Sequence, residues 1–132
     1  MVWHGAAMLN YFRIVAFLTT TDYARARAFY VDKLGLEFIR EDQFAMVLRA
    51  NENMVRVVKA QQLVPATGTV LGWEVSDIAR VVRELESRGI IFEKYPWVKD
   101  NRGLGIWTTP NEDQVAWFKD PDGNVLSVSE HK

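Results

Sequence analysis

The chain has 132 residues, a formal net charge of −1, no cysteine, 48% apolar and 25% charged residues. That length holds one domain or two small modules sharing a core, and a charge so near zero gives no reason to expect a nucleic-acid or acidic-membrane partner. The lack of cysteine excludes disulfides, thiolate metal sites and a Cys nucleophile, and it fits a reducing cytoplasm. No apolar run approaches the roughly 18 residues of a membrane-spanning helix. The opening "MVWHGAAMLN" lacks the basic and then apolar order of a signal peptide, so residues 1–10, His4 among them, read as a tail.

The segment "YFRIVAFLTT", rich in β-branched and aromatic residues, predicts a first strand. Thr21 and Asp22 supply oxygens to cap a helix from about Tyr23 to Leu34, which stops at Gly35. Its apolar face is Ala26, Phe29, Tyr30 and Leu34. "LEFIRE" begins the next strand. After the linker "QQLVPATGTV", a strand from Val70 leads to a second helix capped by Ser76 or Asp77 and ended by Gly89. Ile78, Val81, Val82 and Leu85 form its buried stripe, with Arg80, Arg83, Glu84 and Arg88 outward. "IIFEKY" starts a further strand. The Asp122-Gly123-Asn124 turn joins the last two strands.

Two stretches repeat. Val15–Leu36 superimposes on Val70–Ile90 with a shift of 55, pairing Asp22 with Asp77, Ala24 with Ala79 and Arg25 with Arg80. Ala45–Lys59 superimposes on Ala116–Glu130 with a shift of 71 and no gap, pairing Asn53 with Asn124. The difference between the shifts places an insertion in the second copy, at about 95–113. Each copy therefore reads β-α-β-β-β, with a first module over 11–60, a linker over 61–69 and a second module over 70–130. The fold class is α+β.

"TTTDYARARAFYVDKLGLEF" resembles the opening module of the vicinal-oxygen-chelate superfamily, which includes glyoxalase I, extradiol dioxygenases, fosfomycin resistance enzymes and bleomycin resistance proteins. "FKDPDGNVLSV" resembles the close of its second module, so the likeness spans residues 11 to 130. It implies two tandem βαβββ modules forming a curled mixed sheet around a cleft, helices on the outside, and commonly a homodimer. In metal-using members, ligands come from the first and last strands of each module. Seven before Asp22 and Asp77 stand Val15 and Val70. Three after Asn53 and Asn124 stand Arg56 and Ser127. Valine has no lone pair, and an arginine brings a charge that a cation repels. No metal and no cofactor are therefore expected.

Strand alternation extends the cleft-facing set implied by the resemblance to Arg13, Val15, Phe17 and Thr19; Val70, Gly72 and Glu74; Arg56 and Val58; Ser127 and Ser129. One of Met46 and Val47 and one of Trp117 and Phe118 join them, and the insertion adds Tyr95, Trp97, Ile106 and Trp107. Such an apolar, aromatic lining suits a small-molecule ligand. The ligand-binding set is Arg13, Phe17, Arg56, Glu74, Trp107, Trp117 and Ser127. Two readings stand open for Arg56, an anion clamp or an internal pair with Glu74. Trp73 reads as core, Trp97 as a lid or dimer contact, and Asp120, Asp122 and Asn124 as turn formers. "DNRGLGIWTTPNED" lacks phosphate-loop spacing and reads as a flexible loop over the cleft. With both histidines in the tails, no Ser-His-Asp set is expected.

The expected function is binding of a hydrophobic or aromatic small molecule in a metal-free cleft. The alternative is a metal-independent lyase or isomerase with Glu74 as base and Arg56 or Arg13 stabilising an oxyanion. A third reading, a metal-dependent enzyme with its ligands elsewhere, requires donors that these strand positions do not offer.

Overall fold

A computed structural model describes residues 8–132; His4 and the rest of the first seven residues lie outside the described residues. A short 3-10 turn (Leu9–Tyr11) leads into β1 (Val15–Thr20), α1 (Tyr23–Arg27), β2 (Glu37–Glu41), β3 (Met46–Ala50) and β4 (Asn53–Lys59). The second copy comprises β5 (Thr69–Glu74), α2 (Ile78–Ser87), β6 (Trp107–Thr108), β7 (Gln114–Lys119) and β8 (Val125–Glu130). These strands build two four-stranded sheets, ordered β1-β4-β3-β2 and β5-β8-β7-β6. In each, the first strand of the module runs parallel to the last and the other pairs are antiparallel. The α+β architecture of tandem modules is as the sequence predicts. The sheets stand open and separate, not as one curled sheet, with β1 and β5 each pairing a single neighbour.

Alternation separates a packed from an open face in β4 and β7, whereas Met46, Val47 and Leu48 of β3 and Leu126, Ser127 and Val128 of β8 are buried in succession. Leu18, Met46, Leu48, Val55 and Val57 of the first sheet share one core with Ala116, Phe118, Leu126 and Val128 of the second. Both helices bury their apolar stripes in that core through Ala26, Phe29, Tyr30, Ile78 and Val82. Asp22 caps α1 by accepting from the Arg25 N–H. Beyond Arg27 the helix widens into π-helical turns over Ala28–Lys33, with the Leu34 N–H reaching the Phe29 carbonyl at 3.0 Å. The helix thus ends near Leu34, as expected, but its second half is not a regular α-helix. The consecutive residues Phe29 and Tyr30 are both buried there, packed edge to face at 5.1 Å.

The turn between β7 and β8 ties the modules together. Asp120 accepts from the Tyr30 hydroxyl at 2.6 Å and from Asn124 Nδ2 at 2.8 Å. Asp122 accepts from the Thr20 hydroxyl at 2.6 Å, the Thr21 hydroxyl at 2.8 Å and Arg25 at 3.0 Å. Asn124 donates to the Thr19 carbonyl. These residues form the turn, as expected, and they also hold the end of β1.

Two expectations fail between α2 and β6. "IIFEKY" is no strand: it makes one isolated bridge, Phe92 to Phe118, because Phe92 is drawn into the core against Phe118 at 5.1 Å. Nor is the following loop a loose flap. Asp100 accepts backbone N–H groups from Arg102, Leu104 and Ile106, and Leu104 and Ile106 are buried. Gly105 has φ +78, and a Cβ there would stand 2.6 Å from the Glu93 carbonyl oxygen, so only glycine lets the two backbones meet.

Candidate ligand-binding site

The open face of the second sheet carries an aromatic cluster. β7 and β8 are paired so that Trp117 lies opposite Ser127 and Val115 opposite Ser129. β6 places Trp107 opposite Val115, and β5 places Gly72 beside Ser127 and Glu74 beside Ser129. The indoles of Trp107 and Trp117 stack at 6.1 Å with 26° between planes. The start of the insertion lays two further rings on them. Tyr95 meets Trp117 edge-on at 5.7 Å, and Trp97 meets Trp107 and Trp117 at 5.5 and 5.9 Å. Tyr95 and Trp97 stack on each other at 5.5 Å. Trp97 remains 55% exposed, so the cluster has a solvent-facing wall to which a flat or cationic ligand can add.

Beneath the rings, the Ser127 hydroxyl fills the space over Gly72, where an added Cβ would come within 2.5 Å of it. Among the described residues the Ser127 hydroxyl has no hydrogen-bond partner, and Glu74 is exposed with no ion pair. The next Ser in the strand is engaged: Ser129 Oγ lies 2.9 Å from His131 Nε2, and His131 Nδ1 lies 3.4 Å from Asp113 Oδ2. A Ser-His-Asp set is therefore present, against the expectation from sequence. The hint was available in part, since His131 lies two residues beyond Ser129 and so continues its strand face. Asp113 was not legible, because only the β7–β8 register brings it across.

The first sheet's open face is different in kind. Val15, Phe17, Met54 and Val58 are exposed there, with Val47 and the half-buried Arg56 between them. A shallow cavity of about 200 Å³ touches Arg13, Val15, Ile39, Val47, Arg49 and Met54. Arg13 is exposed and faces Glu52 at 3.8 Å. Of the sequence-derived set, then, Glu74, Trp107, Trp117 and Ser127 gather on the second sheet, while Phe17 and Arg56 share the first sheet's open face and Arg13 precedes its edge strand. No ion pair or hydrogen bond joins Arg56 to Glu74, so the internal pair considered for them is not formed. Ile106 belongs to the core, not the cleft lining, because its neighbour Trp107 takes the open face. Phe118 and Trp73 likewise face the core, stacked at 6.5 Å.

A family model described as the glyoxalase/bleomycin resistance protein/dioxygenase superfamily matches residues 9–128. The chain belongs to this superfamily. Solved structures similar to this superfamily member include one from Sphaerobacter thermophilus DSM 20745 described as a member of the same superfamily, at 21% identity and TM-score 0.71, covering 91% of this chain and 97% of that one. Another is a bleomycin-binding protein complexed with bleomycin, at 21% identity and TM-score 0.68, covering 91% and 98%. A third is a lactoylglutathione lyase from Agrobacterium tumefaciens, at 22% identity and TM-score 0.65, covering 96% and 94%. No curated protein matches the chain.

The divalent ion used by metal-dependent members of this superfamily does not fit the side chains found here. Val15, Val70, Arg56 and Ser127 hold the positions that the resemblance assigns to its ligands. They offer no carboxylate and no imidazole, and Arg56 brings a cation. Among the described residues no three His, Asp or Glu side chains gather in a metal-holding group.

Proposed function

We propose that this superfamily member binds a hydrophobic or aromatic small molecule against the Tyr95, Trp97, Trp107 and Trp117 cluster, in a cleft that uses no metal. The carrying observation is the mutual packing of these four rings on one open sheet face. Glu74, on the same sheet face but with β8 and β7 between it and Trp107, favours a ligand that also carries positive charge. The bleomycin-bound relative supports small-molecule binding as a use of this fold.

The exposed apolar strip of Val15, Phe17, Met54 and Val58 is the reason to place a second copy of the chain over the first sheet. In that homodimer Arg56 and Arg13 face the partner's cleft, and the opposing sheets enclose the ligand that one open sheet cannot. No helix among the described residues is long and apolar enough to cross a membrane, and the lack of cysteine fits a cytoplasmic setting.

Tryptophan fluorescence quenching and thermal-shift titration against a panel of planar and cationic drugs and metabolites test the binding. Trp107→Ala and Trp117→Ala should each weaken every detected ligand about tenfold or more, the loss of a stacking ring being worth roughly 1–3 kcal/mol. Unchanged affinities in both variants would remove the ring cluster from the site. Elemental analysis of protein purified without chelator tests the metal-free cleft, and stoichiometric zinc, nickel, manganese or iron would overturn it. Light scattering of wild type beside Phe17→Asp tests the dimer.

A further inference from the structure

We propose that Asp113, His131 and Ser129 form a proton relay that makes Ser129 a nucleophile toward small carboxylic esters, a hydrolase activity on the same sheet face as the ring cluster. Asp113 Oδ2 lies 3.4 Å from His131 Nδ1 as an ion-pair contact, and His131 Nε2 lies 2.9 Å from the Ser129 hydroxyl. The relay uses the tautomer in which Nδ1 bears the proton and Nε2 accepts from Ser129.

Each member is held by its surroundings. Asp113 sits in a turn closed by Thr109, whose N–H donates to the Asp113 carbonyl at 2.8 Å and whose hydroxyl accepts from the Asp113 N–H at 3.1 Å. The Lys132 N–H occupies Asp113 Oδ1 at 3.0 Å, which aims Oδ2 at His131. Lys132 itself is pinned to Glu112 at 2.6 Å. The Lys132 N–H first, and His131 after it, hold the Asp113 carboxyl below the usual carboxylate range despite an opposing push from burial. Ser129 is fixed in register between Val115 and Glu74, its carbonyl accepting from the Val75 N–H at 2.7 Å. Trp107 lies one strand further along the same row.

The chemistry balances without any further reactant but water. Ser129 Oγ forms a bond to the ester carbonyl carbon while its proton passes to His131 Nε2. The C–O bond to the leaving alcohol then breaks, and the alcohol takes that proton. Water next gives a proton to His131, its oxygen bonds to the acyl carbon, and Ser129 Oγ leaves with the proton restored, releasing the acid. Asp113 is a positioning residue. Among the described residues, His131 meets the charge of Asp113, Lys132 follows it and pairs with Glu112, and Glu74 stands beside Ser129 on the neighbouring strand. Glu74 is the unfavourable neighbour, since its charge opposes the oxyanion of the tetrahedral intermediate. With Glu74 beside Ser129, turnover is expected to be slow and acylation is the step to read. The proposal rests on the ring cluster as a ligand wall only for where an aromatic ester lies; the relay stands apart from it.

The test uses the full chain, p-nitrophenyl acetate for the burst of acylation, and a fluorophosphonate for labelling, with the modified residue found by peptide mapping. The label is expected on Ser129 and absent in Ser129→Ala. His131→Gln should slow labelling about 10²-fold. Asp113→Asn should slow it and alter its pH profile, with recovery in Asp113→Glu, and Glu74→Gln should speed the burst. Near-UV circular dichroism confirms that each variant folds. Labelling elsewhere, no labelling, or equal rates in wild type and His131→Gln overturns the relay. Ligand quenching of tryptophan fluorescence in Ser129→Ala reads the binding function separately, so the failure of one is not mistaken for the failure of the other.

Discussion

The Tyr30 hydroxyl donates a 2.6 Å hydrogen bond to Asp120 Oδ2 across 90 residues of sequence, joining the helix of the first module to the last turn of the second. Both side chains are buried, and burial, reinforced by the Asp120 charge, pushes the Tyr30 hydroxyl far above its usual pKa. It therefore stays protonated and donating at every working pH. The internal repeat makes this latch one-sided. The residues 71 before Asp120, Asp122 and Asn124 are Arg49, Asn51 and Asn53, and the residues 55 after Thr20, Thr21 and Tyr30 are Val75, Ser76 and Leu85. Among the described residues no side-chain hydrogen bond joins Arg49, Asn51 or Asn53 to Val75, Ser76 or Leu85. A cavity of about 550 Å³ lies there instead, touching Asn51, Asn53, Gly72 and Glu74.

Tyr30→Phe should destabilise the chain by about 1.5–3 kcal/mol, because a hydrogen bond to a buried carboxylate is lost while the ring packing stays. Urea denaturation followed by tryptophan fluorescence measures it. A change below about 0.5 kcal/mol would mean that the latch does not bear on global stability.

The latch also sets an acid limit. Burial raises the Asp122 carboxyl, but the Thr20 and Thr21 hydroxyls, the Thr21 N–H and Arg25 together more than offset this, and the net shift is downward. A carboxyl lowered by folding stabilises the native state fully above its unfolded pKa of about 3.9 and loses that contribution as pH falls toward the folded value. Melting temperature should accordingly drop between about pH 5 and pH 3, and Asp122→Asn should be less stable at pH 7 with a flatter slope over that window. An unaltered slope in the variant would assign the acid sensitivity to other groups.

Gly72 and Ser127 should be thermodynamically coupled. Alanine in a strand gains about 0.5–1 kcal/mol over glycine, but its Cβ at Gly72 meets the Ser127 hydroxyl at 2.5 Å and forces it from its rotamer, at a cost of about 0.5–1.5 kcal/mol. The single change Gly72→Ala is thus near neutral. The same change in a Ser127→Ala background should be stabilising, and a double-mutant cycle reads the difference directly. Additive behaviour would place the hydroxyl elsewhere.

Trp107 and Trp117, 6.1 Å apart and nearly coplanar in orientation, should couple their ring transitions. Wild type is expected to show an exciton feature in circular dichroism that is reduced in either Trp→Phe variant, Trp97 still lying beside the remaining indole, whereas Trp73→Phe, altering a ring on the core side, should leave it in place.

Part of the aromatic face was legible from the sequence. Alternation put Ser127 on the cleft-facing side of its strand but left open which of Trp117 and Phe118 joins it, which the β7–β8 register decides, while helical spacing named Phe29, Tyr30, Ile78 and Val82 as buried. The π-helical widening after Arg27 was not legible, since the spacing of Phe29 and Tyr30 fits an ordinary helix too. The Asp113–His131 contact follows from the β7–β8 register, which sets Gln114 opposite Glu130 and so their outer neighbours Asp113 and His131 across from each other, and it is not expected when His131 is read as part of a tail.

The sequence by itself determined the repeat and its βαβββ order, and it leaves no carboxylate or imidazole at Val15, Val70, Arg56 and Ser127, the positions that the resemblance assigns to metal ligands. Those properties follow from periodicity and from side-chain chemistry, which are local. Only the tertiary structure decided that the two sheets stand open and separate, that the last turn latches onto β1 and α1, that four rings gather on one face, and that Ser129, His131 and Asp113 meet. Those depend on contacts between residues far apart in the chain, set by how the two modules share one core.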